Sequence, residues 1–172
     1  MTDLDKALFA SMREREFVDA MRAGIDAFAK YRATMPLANR SYTRTQLRRL
    51  PHYELVAVCW APGSRTPIHD HGISRCWVVM LDGSLDVESY ERLDDANERA
   101  VLRRGESRRV GLNDIDYRAD WRDMHRVGNP SEAPAYSLQL YAAPLAQYTV
   151  VQDETLGTYT TTGAHTHATY SL

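Results

Sequence analysis

Three histidines in this chain have the residue type and the spacing of a metal site. His69 and His71 are separated by a single residue, so on an extended strand both side chains project from the same face. His125 is a third imidazole that a folded sheet could bring beside them. Three neutral imidazoles can hold one divalent ion and leave coordination positions open, but zinc, iron, manganese, nickel and copper all accept such ligands. A bare His-x-His pair is common by chance, so the prediction of a metal centre depends on its setting.

The residues around this pair resemble the first metal motif of the cupin superfamily. Gly63 precedes the pair and Gly83 follows it at the spacing of that motif, with Cys76 where the motif usually carries a glutamate. His125 and Asn129 match the His-x-x-x-Asn ending of the second motif. The resemblance implies that the three histidines bind one metal ion inside a β-barrel.

The composition predicts one domain that binds or converts a small molecule. A chain of 172 residues that is 44% hydrophobic can bury one sizeable core and has little left for a second. The net charge of −2, with basic residues dispersed among acidic ones, argues against a nucleic-acid partner. No apolar run approaches the ~20 residues of a bilayer span, and the first residues lack the order of a signal peptide. We therefore expect a cytoplasmic monomer with no membrane partner and two free cysteine thiols.

Hydrophobic periodicity predicts helices first and strands afterwards. Apolar residues recur at three- and four-residue intervals within residues 4–33, which predicts one or two amphipathic helices against the outside of a sheet. Residues 45–50 are expected to form a short helical turn that Pro51 ends. We expect a single cupin domain over residues 1–172, with residues 1–50 as its N-terminal helical segment and 51–172 as its barrel.

Short strands dominate the sequence after residue 51. The predicted strands are Glu54 to Trp60, Trp77 to Leu81, Leu85 to Val87, Arg108 to Val110, Ala135 to Tyr141, Tyr148 to Gln152 and Thr158 to Thr162. Asp82-Gly83 predicts a hairpin turn, and residues 94–98 a solvated loop. Many short strands separated by Gly and Pro are typical of an antiparallel β-barrel or jelly roll of the cupin type. Inward-facing histidines on neighbouring strands would meet in its lumen.

Between Ser41 and Tyr141 the chain resembles the cysteine dioxygenase family of thiol dioxygenases. The matching segments are Ser41-Tyr42-Thr43-Arg44, Cys59-Trp60, Ile68-His69-Asp70-His71, Cys76, and His125-Arg126-Val127 through Ser137, Leu140 and Tyr141. Members of that family bind ferrous iron through three histidines and use dioxygen to convert the thiol of L-cysteine to a sulfinate. The resemblance implies that this chain takes a small thiol and O2 as reactants and Fe2+ as cofactor. Its iron ligands would be His69, His71 and His125.

Arg44 is the candidate that binds a substrate carboxylate. A guanidinium presents a planar fork of donors that pairs bidentately with a carboxylate and stays charged when partly buried. An arginine in a Tyr-x-Arg sequence performs this task in the family, and Tyr42-Thr43-Arg44 matches that sequence. We expect Tyr42 to line the substrate pocket beside Arg44.

Tyr141 and Cys76 form the second pair of residues that the resemblance singles out. The Tyr141 phenol can donate or accept a hydrogen bond near the metal. Some family members join this tyrosine to a cysteine through a thioether bond, and Cys76 stands five residues after the second histidine, as in those members. The resemblance therefore implies a crosslink between Cys76 and Tyr141.

Gln139 departs from the family pattern. The family commonly shows Ser-x-His-x-Tyr, whereas this chain has Ser137-Leu138-Gln139-Leu140-Tyr141. Strand alternation places Ser137, Gln139 and Tyr141 on one face, but an amide does not titrate near neutral pH as histidine does. The substitution leaves 3-mercaptopropionate or another small thiol acid open as the substrate, although Arg44 favours L-cysteine. Another cupin metalloenzyme and a non-catalytic cupin that binds a small acid are the remaining alternatives.

A second His-x-His pair, His165 and His167, lacks the surrounding glycines of the metal motif. We expect these two side chains to be solvated at a strand end rather than to bind metal.

Overall fold

Two antiparallel sheets make up most of the molecule. The structure is a computed structural model that describes residues 14–37, 41–96, 99–119, 121–153, 158–163 and 168–169. Within these residues an α-helix, α1 (Glu14–Tyr31), is followed by a short 3-10 helix (Arg32–Thr34). The strands are, in chain order, β1 (Tyr42–Arg49), β2 (Glu54–Trp60), β3 (Arg75–Asp82), β4 (Leu85–Ala96), β5 (Arg99–Val110), β6 (Ile115–Arg118), β7 (Asp123–Gly128), β8 (Ala135–Ala142), β9 (Gln147–Asp153), β10 (Thr158–Gly163) and β11 (Ala168–Thr169).

The first sheet has the strand order β11-β1-β2-β8-β3-β6, and the second has the order β7-β4-β5-β10-β9. Among the described pairs, β1 and β11 are parallel and the others are antiparallel. The prediction of a mainly β fold with antiparallel sheets is confirmed. Within the described residues, no helix combines the length and hydropathy needed to span a membrane.

The central strand β2 is buried on both of its faces. Leu55, Ala57 and Cys59 belong to the apolar cluster that faces α1, while Val56 and Val58 belong to the cluster between the two sheets. This double burial explains why the strand is a continuous apolar run rather than an alternating one. The alternate side chains of the first sheet therefore line the interior of the molecule, where a functional site can form.

Helix α1 lies against the outer face of the first sheet, as predicted for this part of the helical region; residues 4–13 of that region lie outside the described residues. Ala20, Met21 and Phe28 are buried in the cluster that this face contributes. At Gly24, an added Cβ would lie 2.8 Å from side-chain carbons of Leu55 and of Leu138. The absence of a side chain at Gly24 thus allows the helix to approach the sheet closely.

The prediction of a helical turn at residues 45–50 is wrong, because β1 occupies residues up to Arg49. This strand pairs with β2 from Tyr42 opposite Trp60 to Arg49 opposite Glu54. Leu47 is 1% exposed because its side chain packs in the cluster beneath α1. Long-range pairing and this burial override the local helix-forming residues. The sheets therefore begin at Tyr42, and a helical segment that extends to residue 50 is too long.

Two of the turn predictions are also corrected. Gly83 does adopt a left-handed conformation, with φ of 74°, but the turn closes no hairpin. Strand β3 pairs with β6 and β8, whereas β4 pairs with β5 and β7, so Asp82-Gly83 carries the chain from one sheet to the other. Within the predicted loop at residues 94–98, residues 94–96 continue β4. Strand β6 had no predicted counterpart, and β7 was anticipated only as the strand that carries His125.

Candidate metal centre

The three histidines meet between the two sheets. One ring nitrogen from each of His69, His71 and His125 lies within 4.8 Å of the corresponding nitrogens of the other two. The ring centroids are 5.4 Å apart for His69 and His71, 4.6 Å for His69 and His125, and 4.9 Å for His71 and His125. His71 is 3% and His125 is 2% exposed. These three residues therefore form a compact all-nitrogen cluster in which His71 and His125 are buried and His69 is half-buried.

His69 and His71 lie on an extended segment between β2 and β3. The backbones of His69 and His125 exchange two N–H···O hydrogen bonds of 2.9 Å, which fix this segment against β7. A further bridge joins His69 to Val150 in β9. The expectation that the pair occupies a regular strand is thus wrong, because the segment makes only isolated bridges. Its extended backbone nevertheless brings both rings to the cluster.

Asp70 anchors this segment through backbone and charge contacts. One oxygen, Oδ1, accepts hydrogen bonds from the backbone N–H groups of Gly72 at 2.9 Å and Thr149 at 2.8 Å. The other, Oδ2, lies 3.6 Å from Nη1 of Arg92. Asp70 is 1% exposed. The buried carboxylate fixes the backbone between the two histidines.

Burial keeps the imidazoles neutral. It lowers the pKa of His69 to about 3, with a smaller contribution from the charge of His125. It also lowers the pKa of His71 well below its usual value, and that of His125 in the same direction. Neutral imidazole is the form that binds a metal ion, since its lone pair is free. The cluster is therefore ready for metal binding at neutral pH.

Several ring nitrogens of the cluster are buried without a hydrogen bond. These are Nδ1 of His71 and both Nδ1 and Nε2 of His125, as judged among the residues that the structure describes. Buried polar atoms without partners are costly, and a divalent cation would satisfy those that face the cluster. The donor set of neutral nitrogens suits iron as well as zinc, manganese, nickel or copper. The residues present thus fit a metal ion.

The Nδ1 atoms of two of the histidines lie near different oxygen atoms. Nδ1 of His69 lies 3.0 Å from the carbonyl oxygen of Pro67. Among the described residues, Nδ1 of His125 makes no hydrogen bond, but it lies 3.4 Å from Oδ2 of Asp116. Burial by itself raises the pKa of Asp116, but the neighbouring His125 and Arg118 lower it by more, so this carboxyl has a pKa well below its usual range. Asp116 is therefore a carboxylate at neutral pH.

A cavity beside the cluster is lined by four of the other predicted site residues, while Cys76 and Ser137 are not among its lining. Its polar lining includes Tyr42, Arg44, Gln139, Tyr141 and Tyr148, together with the three histidines. Its apolar lining comes from both sheets and includes Val58, Val78, Leu85, Val87, Val110 and Val127. The cavity therefore offers polar groups on a largely hydrophobic background, as small-molecule sites usually do.

Strand β1 brings Arg44 and Tyr42 into this cavity. Arg44 is 7% exposed, and its guanidinium carbon lies 5.3 Å from the ring centroid of Tyr141. Tyr42 is half-buried and packs on Trp60 at 5.1 Å between ring centroids. Burial raises the pKa of Tyr42. One permanent cation and one neutral phenol thus line this side of the cavity.

Cys76 and Tyr141 are directly opposite each other on β3 and β8. Cys76 is 0% and Tyr141 is 3% exposed, and both cysteines of the chain are free thiols. Burial raises the pKa of the Cys76 thiol and raises that of the Tyr141 phenol well above its usual value. The Tyr141 ring lies 5.5 Å from the His71 ring. The thiol and the phenol are therefore neighbours beside the histidine cluster.

Ser137, Gln139 and Tyr141 form a hydrogen-bonded row along β8. The Tyr141 hydroxyl donates to Oε1 of Gln139, and Nε2 of Gln139 donates to Oγ of Ser137 at 3.5 Å. Nε1 of Trp60 also donates to this hydroxyl oxygen, at 3.0 Å. The prediction that the three side chains share a strand face is confirmed. Gln139 holds the tyrosine hydroxyl through its amide.

Three residues at or beside the site were absent from the prediction. Asp116 and Arg118 face the interior while Ile115 and Tyr117 are exposed, so the alternation in β6 is reversed relative to the usual hydrophobic-in pattern. The alternation of apolar and charged residues along Ile115–Arg118 was the sequence signal that could have identified Asp116 and Arg118. Tyr148, whose ring lies 5.9 Å from that of His69, arrives from β9 and had no local signal. His165 and His167 lie outside the described residues.

Comparisons with solved structures support the fold. The TT1209 protein of Thermus thermophilus superposes with a TM-score of 0.53 at 16% identity, covering 66% of this chain and 93% of that one. The cupin domain of Schizosaccharomyces pombe Cnp3 superposes with a TM-score of 0.51 at 11% identity, covering 64% and 66%. At these identities the likeness concerns the fold alone, and it confirms the predicted cupin architecture.

Sequence comparisons identify the family. Cysteine dioxygenase type 1 of Bos taurus is 32% identical over 118 residues, which are 68% of this chain and 54% of that protein. The chain spans about half the length of the curated relatives it matches. The family model "Cysteine dioxygenase type I" matches residues 11–153, a range that contains the three histidines, Arg44, Cys76 and Tyr141. This chain therefore belongs to the cysteine dioxygenase type I family.

Proposed function

We propose that this protein is an iron-dependent thiol dioxygenase that oxidises L-cysteine to cysteine sulfinic acid. The observation that carries the proposal is the buried cluster of His69, His71 and His125 in the same cavity as Arg44. The three histidines would hold Fe2+ through ring nitrogens. Bound ferrous iron supplies a coordination site for the thiol and the means to activate O2. The overall conversion of R–SH and O2 to R–SO2H places both oxygen atoms on sulfur and needs no external reductant.

Arg44 binds the substrate carboxylate. Its guanidinium is buried in the wall of the cavity, where charge-assisted hydrogen bonds are stronger than in water. A carboxylate held there leaves a short thiol free to reach the histidine cluster on the other side of the cavity. Tyr42, Trp60 and the valines close the remaining space, which favours a small thiol acid over a peptide.

Tyr141 acts as a neutral hydrogen-bonding group toward the reactants. Burial keeps its phenol protonated, since the pKa lies well above the usual value. Oε1 of Gln139 accepts the hydrogen bond that the hydroxyl donates and so fixes the direction of that bond. Because an amide does not titrate, this orientation does not change with pH in the neutral range.

Cys76 and Tyr141 form a thioether crosslink during turnover. Directly opposed residues on antiparallel strands have Cβ atoms about 4.5–5.5 Å apart, and these two side chains are opposed on β3 and β8. A new bond between Sγ and a ring carbon of Tyr141 removes one hydrogen from each side chain, and O2 accepts the two electrons and two protons. Intact-protein mass spectrometry after turnover should show the loss of two hydrogens. An unchanged mass and a free Cys76 thiol would contradict the crosslink.

Oxygen uptake by the protein loaded anaerobically with Fe2+ tests the proposed activity. L-cysteine is compared with cysteamine, which lacks the carboxylate, and with 3-mercaptopropionate, which lacks the amine; mercaptosuccinate tests a larger acid. We expect the highest kcat/KM with L-cysteine and a sulfinate product by mass. Uptake with 3-mercaptopropionate alone would select that acid as the substrate. No thiol-dependent uptake would contradict the proposal.

A further inference from the structure

We propose that Asp116 is a positioning residue for the metal centre: when a metal ion is bound, its carboxylate accepts a hydrogen bond from Nδ1–H of His125 and directs Nε2 of that ring to the metal. The inference rests on the proposed function, because it requires that His125 bind a metal ion. It concerns a residue outside the histidine motifs, brought to the site by β6.

The position of Asp116 places its carboxylate behind the His125 ring. Strand β6 pairs with β3 so that Asp116 stands opposite Val78, whose side chain lies in the cluster between the sheets. Asp116 is 2% exposed and lines the cavity of the histidine cluster. Its Oδ2 lies 3.4 Å from Nδ1 of His125, which is an ion-pair distance and not a formed hydrogen bond in this structure, and Nδ1 of His125 has no other partner among the described residues. Donation from Nδ1 selects one tautomer and leaves the Nε2 lone pair for a metal.

Two arginines hold the Asp116 carboxylate in place. Arg118 binds the carboxylate bidentately: Nη2 donates to Oδ1 at 2.7 Å, and Nε donates to Oδ2 at 3.0 Å. Arg108 donates to Oδ1 at 2.8 Å, and Asp123 in turn accepts from Nη1 of Arg118 at 2.8 Å. A carboxylate fixed in this way cannot turn to follow a rotating ring. The imidazole must therefore adopt the orientation that the carboxylate sets.

His69 has a similar arrangement at a shorter distance, which supports the assignment independently. Its Nδ1 lies 3.0 Å from the carbonyl oxygen of Pro67, so the proton on that nitrogen has an acceptor and Nε2 is free. Metal-binding histidines generally donate their other N–H to a carboxylate or a backbone carbonyl, which fixes the tautomer and raises the basicity of the ligand. Pro67 and Asp116 supply these two kinds of acceptor.

The surroundings of Asp116 argue against direct binding of a substrate ammonium group. Its Oδ1 already accepts from Arg118 and Arg108, and its Oδ2 accepts from Arg118 and faces His125. A further cation would need to displace one of these donors. The carboxylate is thus committed to His125 and the arginines.

Metal affinity of the Asp116→Asn variant tests the inference. The amide is nearly isosteric but lacks the charge, so we expect the dissociation constant for Fe2+, measured anaerobically against a chromophoric chelator, to rise about 10- to 100-fold. The visible absorption bands of bound Co2+ should also shift, because the ring of His125 is reoriented. The matched control is Asp86→Asn, which removes the charge of an exposed carboxylate that pairs with Arg109 and does not line the cavity of the histidine cluster. It should leave both the affinity and the Co2+ spectrum unchanged.

Three outcomes would overturn the inference: wild-type affinity in a folded Asp116 variant, an unshifted Co2+ spectrum, or equal weakening in Asp86→Asn. If Asp116→Asn does not fold, Asp116→Glu takes its place, since it keeps the charge beside Arg118 but displaces the carboxylate from Nδ1. Failure of the wild-type protein to bind Fe2+ at all would instead contradict the proposed function.

Discussion

At the scale of single residues, the chemistry depends on a few charges placed in an apolar cavity. Arg44 supplies a permanent positive charge, and Asp116 a negative charge that two arginines hold in place. The histidines between them remain neutral because burial lowers their pKa values. A neutral ligand set leaves the charge of a bound cation largely uncompensated, which favours the binding of a thiolate.

Replacement of Arg44 by alanine tests the carboxylate site. Hydrogen bonds to charged groups contribute about 1.5–3 kcal/mol, so KM for L-cysteine should rise about 10- to 100-fold. Cysteamine has no carboxylate, and its kcat/KM should change little. The control is Arg48→Ala, on the same strand but exposed. Equal losses for the two thiols would contradict the assignment.

At this scale the sequence was most informative where chemistry requires a particular residue type. The three histidines, Arg44, Cys76 and Tyr141 could be chosen from their spacing and from the family resemblance, and all of them line or adjoin one cavity. Asp116 could not be chosen in this way, since it becomes relevant only when β6 pairs with β3.

At the scale of elements, the irregular segment between β2 and β3 determines where the first two ligands lie. It is held by bridges to β7 and β9, and it turns at Gly72, which has φ of +58°. Local preferences of residues for strand or helix do not predict an irregular segment of this kind. The same limitation explains β1, whose strand conformation comes from pairing with β2 rather than from local propensity.

Substitution of Gly72 by alanine tests the importance of this turn. An added Cβ would lie 2.4 Å from the carbonyl oxygen of Gln147. Gly63 is a matched control, because its φ is +67° and nothing lies within 4 Å of an added Cβ. An alanine in the left-handed conformation lowers the free energy of unfolding by about 1–2 kcal/mol in both variants. The clash with Gln147 lowers it by about a further 1–3 kcal/mol in Gly72→Ala alone.

Urea unfolding measures this difference in the free energy of unfolding. Gly72→Ala should also bind Fe2+ more weakly, because the clash displaces the backbone next to His71, while Gly63→Ala should bind it normally. Equal stability and equal affinity of the two variants would contradict the role assigned to the turn.

At the scale of the whole molecule, the site exists because two sheets with different strand orders face each other. The first sheet contributes Arg44, Gln139 and Tyr141, while the second contributes His125 and, through bridges, fixes His69. The sequence indicated the fold class through its short strands, but the sheet order and the register are set by pairing between distant residues. The distances that give the site its function were therefore not predictable from local patterns.

The metal-free protein should lose stability in mild acid. The buried imidazoles have pKa values lowered in the folded state, whereas in the unfolded chain they titrate near the usual value of about 6.5. The contribution of the neutral imidazoles to the free energy of unfolding is fully present above that pH. It is lost as the pH falls below it, because the unfolded chain then binds protons that the folded protein does not.

For one imidazole the loss is about 1.4 kcal/mol per pH unit once the unfolded chain is fully protonated. Urea midpoints of the metal-free protein between pH 7.5 and 5 should fall accordingly, and less steeply for His71→Gln. A midpoint that is constant over this range would contradict the neutral, buried state of the cluster.

The most direct test of the proposed thiol dioxygenase activity is to determine whether both oxygen atoms of O2 enter the product. The Fe2+-loaded protein is supplied with L-cysteine and 18O2, and the product is identified by mass spectrometry. A thiol dioxygenase at this site predicts cysteine sulfinic acid with both oxygen atoms labelled, and none from His71→Ala. Cystine as the only product, a sulfinate with a single labelled oxygen, or unchanged turnover by His71→Ala would contradict the account.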